Sequence, residues 1–566
     1  MSNIHTYSYE GPLPLGSVVA HHCGAAGLVT AKEAHWQLVG REAESGQYIL
    51  DVYEVAESSI SSNQASQRAD EGLADSSEAI LLKPKERELK ATIYGEISSA
   101  GRTRMGGELL RLLRTAQGLS PVGEWGTMVG VRPTKLFHKL WDAVEQDYAT
   151  VESSSHDTVQ CGPQSTEKSS LYATAQFTPH ATVESSSQIT EKSRATTMDG
   201  KVAQKASDAL HALHEVSESK LSLLRQIGSL QRPYVAPHEA MKQHVSVYAG
   251  IPFCQTRCTY CSFPYGLIQD YGRIPDFVEA FQKDAKHVAN LVEQYNLSVD
   301  SLYMGGGTPT SLCDADFQQV LETLQVLHQG DKEFTVEAGR PDSVTAHKLD
   351  TMKRLGVNRI SINPQSMHDH ILKAIARGHK AEDIKTLYEE VRRNTDFIVN
   401  MDFIAGLPHQ TLAHMKENLD YVCQVRPENV TIHTLALKRG SPLYDGQGLQ
   451  FMPEEAIVKE MVQLSRERLE AAGYVPYYVY RQQYMRGQLE NIGYTLPGYE
   501  CEYNIRIMEE RQSIISIGPG GSSKWIYGAD YRQRKQHIPK DVSVYIDTLD
   551  RLLQKRSTLS KIHWEG

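Results

Sequence analysis

Three cysteines within eight residues, Cys254, Cys258 and Cys261 in IPFCQTRCTYCSF, are the densest set of soft ligands in this 566-residue chain. Thiolates spaced four and three apart in one loop can each hold a different iron of a [4Fe-4S] cube and leave the fourth iron without a protein ligand. An iron left open is a place for chemistry. Two other readings of the same thiols stand beside it. One is a zinc site, which ordinarily takes a fourth Cys or His nearby in a familiar pair spacing; the other is three unrelated thiols. His379 and His433 are too distant along the chain to decide between them.

A second signal follows. Tyr303-Met304-Gly305-Gly306-Gly307-Thr308-Pro309-Thr310 comes after a short apolar run and before a helical pattern, so its glycines fall where a strand ends and a loop turns. Without side chains there, backbone groups can approach a ligand closely. Further polar signals close other apolar runs: Glu337-Ala338-Gly339-Arg340, Asn363-Pro364-Gln365-Ser366, Asp402 through Pro408, and His433 through Ala436. Singly, each has a plain reading. Glu337 can cap the next helix or pair with Arg340, and Asp402 can organise its own loop.

The elements that must position these groups are legible as alternating strand and helix. Strand-like runs at 244–250, 299–304, 333–338, 358–363, 397–405 and 429–436 are separated by helical patterns at about 275–295, 314–328, 343–355, 381–394 and 410–425. Parallel strands need crossover connections, and right-handed crossovers curl the sheet, so the fold class expected is α/β: a partial (β/α)6 barrel. An N-terminal α+β domain precedes the barrel and a C-terminal α+β extension follows it. Functional groups then belong at the C-terminal ends of the strands, where the polar signals fall.

The C-x-x-x-C-x-x-C spacing with Tyr260 before the third Cys resembles the radical S-adenosylmethionine (SAM) superfamily. GGGTPT, together with YAGIPFC before the cysteines, is similar to the oxygen-independent coproporphyrinogen III oxidase group, which includes the HemN, HemW and HemZ types. Within that group, WGTMVGVRPTK at 125–135, PYYVYRQ at 476–482 and PGYECEYNIRIMEERQSIISIGPGGSSK from 497 look most like the HemZ type. The resemblance implies two cofactors, a [4Fe-4S] cluster on Cys254, Cys258 and Cys261 and S-adenosyl-L-methionine. It carries SAM contacts to Tyr248, Gly306, Gly307, Thr308, Glu337, Gln365, Arg377, Asp402 and Ala436; Tyr260 is a softer candidate that can equally shield the cluster from water. Acceptors for a ribose diol and a cation for a carboxylate are what such a molecule requires, and Glu337, Gln365, Arg377 and Asp402 supply them.

The activity implied is oxidative decarboxylation of two propionates of coproporphyrinogen III to vinyl groups, giving protoporphyrinogen IX without oxygen. A 5′-deoxyadenosyl radical would take the hydrogen atom. The partners implied are a tetrapyrrole substrate and a low-potential electron donor such as flavodoxin or ferredoxin. Arg359, Arg439 and Arg481 are candidate anchors for substrate carboxylates. One departure bears on this: HemN-type oxidases carry a further Cys two positions after the third cluster Cys, where this chain has Phe263. HemW-type haem chaperones also lack it, so a haem-binding and transfer protein of that type is the alternative, and a radical SAM enzyme acting on another tetrapyrrole is a third.

With 59 basic and 69 acidic residues the net charge is −10, which gives no global reason to bind nucleic acid or an anionic membrane. The start MSNIHTYSYEGPLP lacks a basic segment followed by an apolar one, and no run approaches the length of a membrane span. A cytoplasmic location is expected. Eight irregularly spaced cysteines in so long a chain do not form a disulfide framework. The expected division is an accessory domain over 1–145 with a disordered loop at 57–78, and a Ser/Thr-rich linker over 146–206. A helical connector (207–243), the barrel (244–437) and the C-terminal domain (438–566) follow. The linker carries a duplication, ATVESSS at 149–155 and again at 181–187, and is expected to be a tolerated surface expansion.

Overall fold

The computed structural model describes residues 6–10, 29–30, 36–42, 47–55, 87–96, 99–116, 123–128, 132–156, 186–261, 266–438, 441–445, 450–482, 485 and 489–566. Near the N-terminus, strands β1 (Thr6–Glu10), β2 (Val29–Thr30), β3 (Trp36–Glu42), β4 (Gln47–Val55) and β5 (Arg87–Glu96) form one sheet in the order β2-β1-β3-β4-β5. Helix α1 (Ser99–Ala116) packs on β5. Helices α2 (Pro133–His156), α3 (Ser186–His214) and α4 (Glu218–Gln231) then pack on one another.

This corrects the expected linker. Residues 146–156 and 186–206 belong to α2 and α3, whereas 157–185 and the expected loop 57–78 lie outside the described residues. Val202, Ala203, Ala206 and Leu210 of α3 are buried at helical spacing. Small residues let the helices approach without a large apolar signature, and so the Ser/Thr-rich composition masked the stripe.

The barrel follows the expected alternation. Its strands are β6 (His244–Ile251), β7 (Ser298–Gly306), β8 (Glu333–Glu337), β9 (Arg359–Gln365), β10 (Ile398–Ala405) and β11 (Asn429–Thr434), paired in parallel in that order. They are near-continuous apolar runs because both faces are covered, as parallel sheets require. Intervening helices such as Ile274–Gln294 bury one stripe, here Phe277, Val278, Phe281, Ala285 and Val288. Leu412–Val425 starts at a capping box made by Thr411 and His414.

The C-terminal extension does not stand apart from this sheet. Strands β12 (Val475–Tyr480) and β13 (Asn491–Thr495) continue it antiparallel beyond β11, while β14 (Ser513–Ile517) pairs in parallel with β6 at the opposite edge and is followed by β15 (Ser522–Tyr527) and β16 (Arg532–His537). The result is one eleven-stranded sheet with both barrel edges covered by the same segment of chain. No described helix is long and apolar enough to cross a membrane.

Candidate active site

The cysteine loop leaves the end of β6 and is fastened to the glycine turn at the end of β7. Gly307 N–H donates to the Ile251 carbonyl at 2.8 Å and Thr308 N–H to the Phe253 carbonyl at 2.7 Å. Only glycine permits this approach: a Cβ on Gly307 would lie 2.4 Å from the Phe253 oxygen, and Gly306 sits at φ +115°. The Thr308 hydroxyl lies 3.6 Å from Cys254 Sγ. A second brace comes from buried Arg340, which donates Nη1 to Thr256 Oγ1 at 2.7 Å and Nη2 to Asp342 at 2.9 Å. Glu337 is therefore not the partner of Arg340. It accepts instead from Tyr303 O–H at 2.7 Å.

The remaining strand ends close one cavity of about 630 Å³, lined by all three cysteines with Tyr248, Tyr260, Gly306, Gly307, Thr308, Glu337, Gln365, Arg377 and Asp402. Of the residues expected to hold the cluster or SAM, Ala436 alone is not in that wall; it bridges to Met485 beyond β11. Gln365 adopts φ +65° at an irregularity in the β9–β10 pairing, a strained conformation for a non-glycine residue at a strand end. Arg377 donates Nη2 to the Asn363 carbonyl at 2.7 Å.

The two carboxylates are pushed in opposite directions. Burial raises Glu337 to about 7, with the Asp402 charge adding to the rise against the Tyr303 hydrogen bond. Burial also acts on Asp402, but the hydrogen bond and charge of His433, with Asn400 and Thr431, outweigh it and hold that carboxyl below its ordinary value. His433 Nε2 lies 3.7 Å from Asp402, and the Tyr480 hydroxyl lies 3.2 Å from the other ring nitrogen. One wall thus carries a firm negative charge, and the other a carboxyl that titrates near neutrality.

Several site residues were not picked out by sequence. Tyr303 and Tyr503 stack at 4.5 Å between ring centroids, with Tyr248 alongside at 6.3 Å from each. Tyr503, Tyr480 and a C-terminal group comprising Gly520, Gly521, Ser522 and Lys524 also line the cavity, as does Asn363 from the polar signal at the end of β9. The period of β7 placed Tyr303 on a strand, but the approach of residue 503 from the far end of the chain leaves no local mark. Two proposed carboxylate anchors are corrected. Arg359 is buried against Asn429, Glu333 and the carbonyls of Tyr499 and Glu500, and Arg481 is buried over the Trp125 ring, donating to the Met128 carbonyl. Neither reaches the cavity wall. Arg439 and Phe263 lie outside the described residues.

The Radical SAM superfamily profile matches residues 248–422. Over 74% of the chain, and 72% of the relative's own length, the sequence is 32% identical to the oxygen-independent coproporphyrinogen-III oxidase-like protein HemZ of Bacillus subtilis (strain 168). The chain belongs to the radical SAM HemN/HemZ-like group. The heme chaperone HemW of the same bacterium is 30% identical over 49% of the chain and 69% of its own length. Among solved structures, coproporphyrinogen III oxidase (HemN) from Escherichia coli aligns with a TM-score of 0.45 at 22% identity, covering 57% of this chain and 72% of that one.

Membership of the radical SAM group implies a [4Fe-4S] cluster and SAM, and the residues present fit both. The three thiols are free of disulfides and share one cavity. Burial pushes the Cys254 thiol up, so its ionisation calls for positive charge of the kind iron brings. For SAM, the buried Asn363 Oδ1, Gln365 Oε1 and Arg377 Nε have no protein partner, leaving two acceptors and a donor on side chains that line the cavity.

Proposed function

We propose that this chain carries out the oxygen-independent decarboxylation of two propionates of coproporphyrinogen III, giving protoporphyrinogen IX. The observation that carries the reading is the single cavity in which three thiols face a glycine turn and unpartnered polar atoms, in a chain similar along most of its length to a coproporphyrinogen-III oxidase-like protein. Cys254, Cys258 and Cys261 would hold the cluster. Tyr248, Gly306, Gly307, Thr308, Glu337, Gln365, Arg377 and Asp402 would hold SAM, and Tyr260, packed beside Cys258, would exclude water. Bound there, the two cofactors supply one-electron, hydrogen-abstracting chemistry.

The chain's own part is positional. Each propionate would lose one hydrogen atom from the carbon next to the ring, which the SAM-derived chemistry would take up, one electron to an external one-electron acceptor, and carbon dioxide, and the two side-chain carbons remain as a vinyl group. The loops braced by Arg340 and Gly307 keep the thiols fixed while the cavity holds the substrate carbon close. A low-potential donor such as flavodoxin or ferredoxin would supply electrons.

A haem-transfer role is the second reading, favoured by Phe263 at the position where HemN-type oxidases carry a Cys and by the likeness to heme chaperone HemW. Coproporphyrinogen III supplied under nitrogen with SAM and a strong reductant separates the two. Vinyl products support the oxidase; tight haem binding with the substrate returned unchanged supports the chaperone.

A further inference from the structure

The C-terminal wall of the cavity carries a charge arrangement that the cluster and SAM do not use. Gly520, Gly521, Ser522 and Lys524 line it, immediately after a turn in which Gly518 and Gly520 take φ +79° and +77°. The Lys524 side chain is 13% exposed, and its ammonium lies 2.8 Å from Glu510 Oε1. That carboxylate is shared. Lys135 reaches its other oxygen at 2.8 Å, and Arg132 pairs with Oε1 as well. Three cations therefore converge on one carboxylate, leaving a surplus of two positive charges within the set.

The neighbours do not remove that surplus. Lys535 stands opposite Lys524 in the β15–β16 register. Glu509, which accepts from Thr134 O–H at 2.5 Å, is raised by burial to about 7 and carries less than a full charge near neutrality. Arg511 is matched by Asp142 at 2.6 Å. Burial lowers Lys524, with Arg132 and Lys535 adding to the fall against Glu510. A half-buried ammonium short of negative charge gains from an incoming anion.

We infer that Lys524 anchors a carboxylate of the substrate in the cavity, and that Arg132 and Lys135 are positioning residues that act on it through Glu510. By occupying Glu510, these two residues of the N-terminal segment keep Lys524 from being neutralised by its own neighbour. The inference rests on the tetrapyrrole reading for the identity of the anion, but not for the existence of the anchor.

The test uses the full chain, anaerobically loaded with iron and sulfide, and two probes: coproporphyrin III, followed by quenching of tryptophan fluorescence, and inorganic tripolyphosphate, followed by calorimetry. Lys524→Gln should weaken both about tenfold, and Lys524→Arg should stay within about threefold of the parent. Arg132→Gln combined with Lys135→Gln should weaken both as Lys524→Gln does. Glu510→Gln should bind at least as tightly as the parent, because it removes the competing carboxylate. Iron content and SAM binding should be unchanged throughout. The anchor is overturned if Lys524→Gln binds both probes like the parent, or if the parent binds neither. It is equally overturned if Glu510→Gln loses affinity as Lys524→Gln does, which would make the cluster a structural clasp. Binding of tripolyphosphate through Lys524 without binding of coproporphyrin III would keep the anchor and reject the tetrapyrrole.

Discussion

The Tyr303 hydroxyl, from within a stack of three tyrosine rings, donates to Glu337 at 2.7 Å, and the burial of this carboxyl sets a pH dependence. The Glu337 carboxyl is raised from 4.5 to about 7, so the folded chain binds a proton there that the unfolded chain has released. Its contribution to stability is complete below pH 4.5 and is lost as pH rises through about 7. Glu509 is raised to the same degree and acts in the same window. Cofactor-free protein should therefore lose thermal stability between pH 5 and 7.5. In Glu337→Gln that slope should be shallower; an unchanged slope in melting scans across this range would show that Glu337 ionises normally.

Replacing Cys254, Cys258 or Cys261 by Ala should abolish the iron and acid-labile sulfide, about four of each per chain in the parent, that anaerobic reconstitution installs. Cys313, which caps a surface helix, and Cys501, buried against Glu333, serve as controls and should retain both. Loss of iron in Cys313→Ala would place the cluster elsewhere.

Asp402→Asn removes the charge that His433 faces at 3.7 Å while keeping the shape of the side chain. SAM affinity should fall about tenfold, with iron content unchanged. Parallel loss of iron and SAM would mean that Asp402 supports the loops instead of the ligand.

Arg340→Met keeps the buried volume near Thr256 but takes away the guanidinium that holds the cysteine loop to Asp342. Loaded protein should then release iron to a chelator at least about fivefold faster, since the loop carrying the three thiols loses its brace. Equal release rates would leave the loop held by its backbone bonds to the glycine turn.

Gly126→Ala tests the N-terminal segment. At φ +57° a new Cβ would lie 1.7 Å from the His214 carbonyl, directly beside Trp125, whose indole N–H donates to buried Glu490 at 2.8 Å. The left-handed conformation and the clash together should cost more than about 2 kcal/mol in chemical denaturation. A smaller loss would mean that this turn moves without disturbing the Glu490 contact.

The parallel strands were legible because each is buried on both faces, as in HVSVYAGI at 244–251, and the polar groups at their ends fell where a parallel barrel presents them. Pairing between distant segments was not legible. Nothing local in Ser513–Ile517 says that it lies beside β6 rather than on the outer edge of β12. Burial of a charged side chain left as little trace: Arg359 and Arg481 look like any exposed arginine, yet the first is held by Glu333 and Asn429 and the second by the Met128 carbonyl. Helix α3 was disguised for a related reason, since Ala203, Ala206 and Ser207 pack through small size instead of bulk.

The pairing of β6 with β14 reaches beyond the architecture. During synthesis the opening strand of the barrel emerges with its outer backbone groups unmet, and the segment that satisfies them is translated only after the last barrel strand. Until then the nascent polypeptide carries an open template for aggregation beside the cysteine loop, so protection of that edge waits on a segment translated after the rest of the barrel.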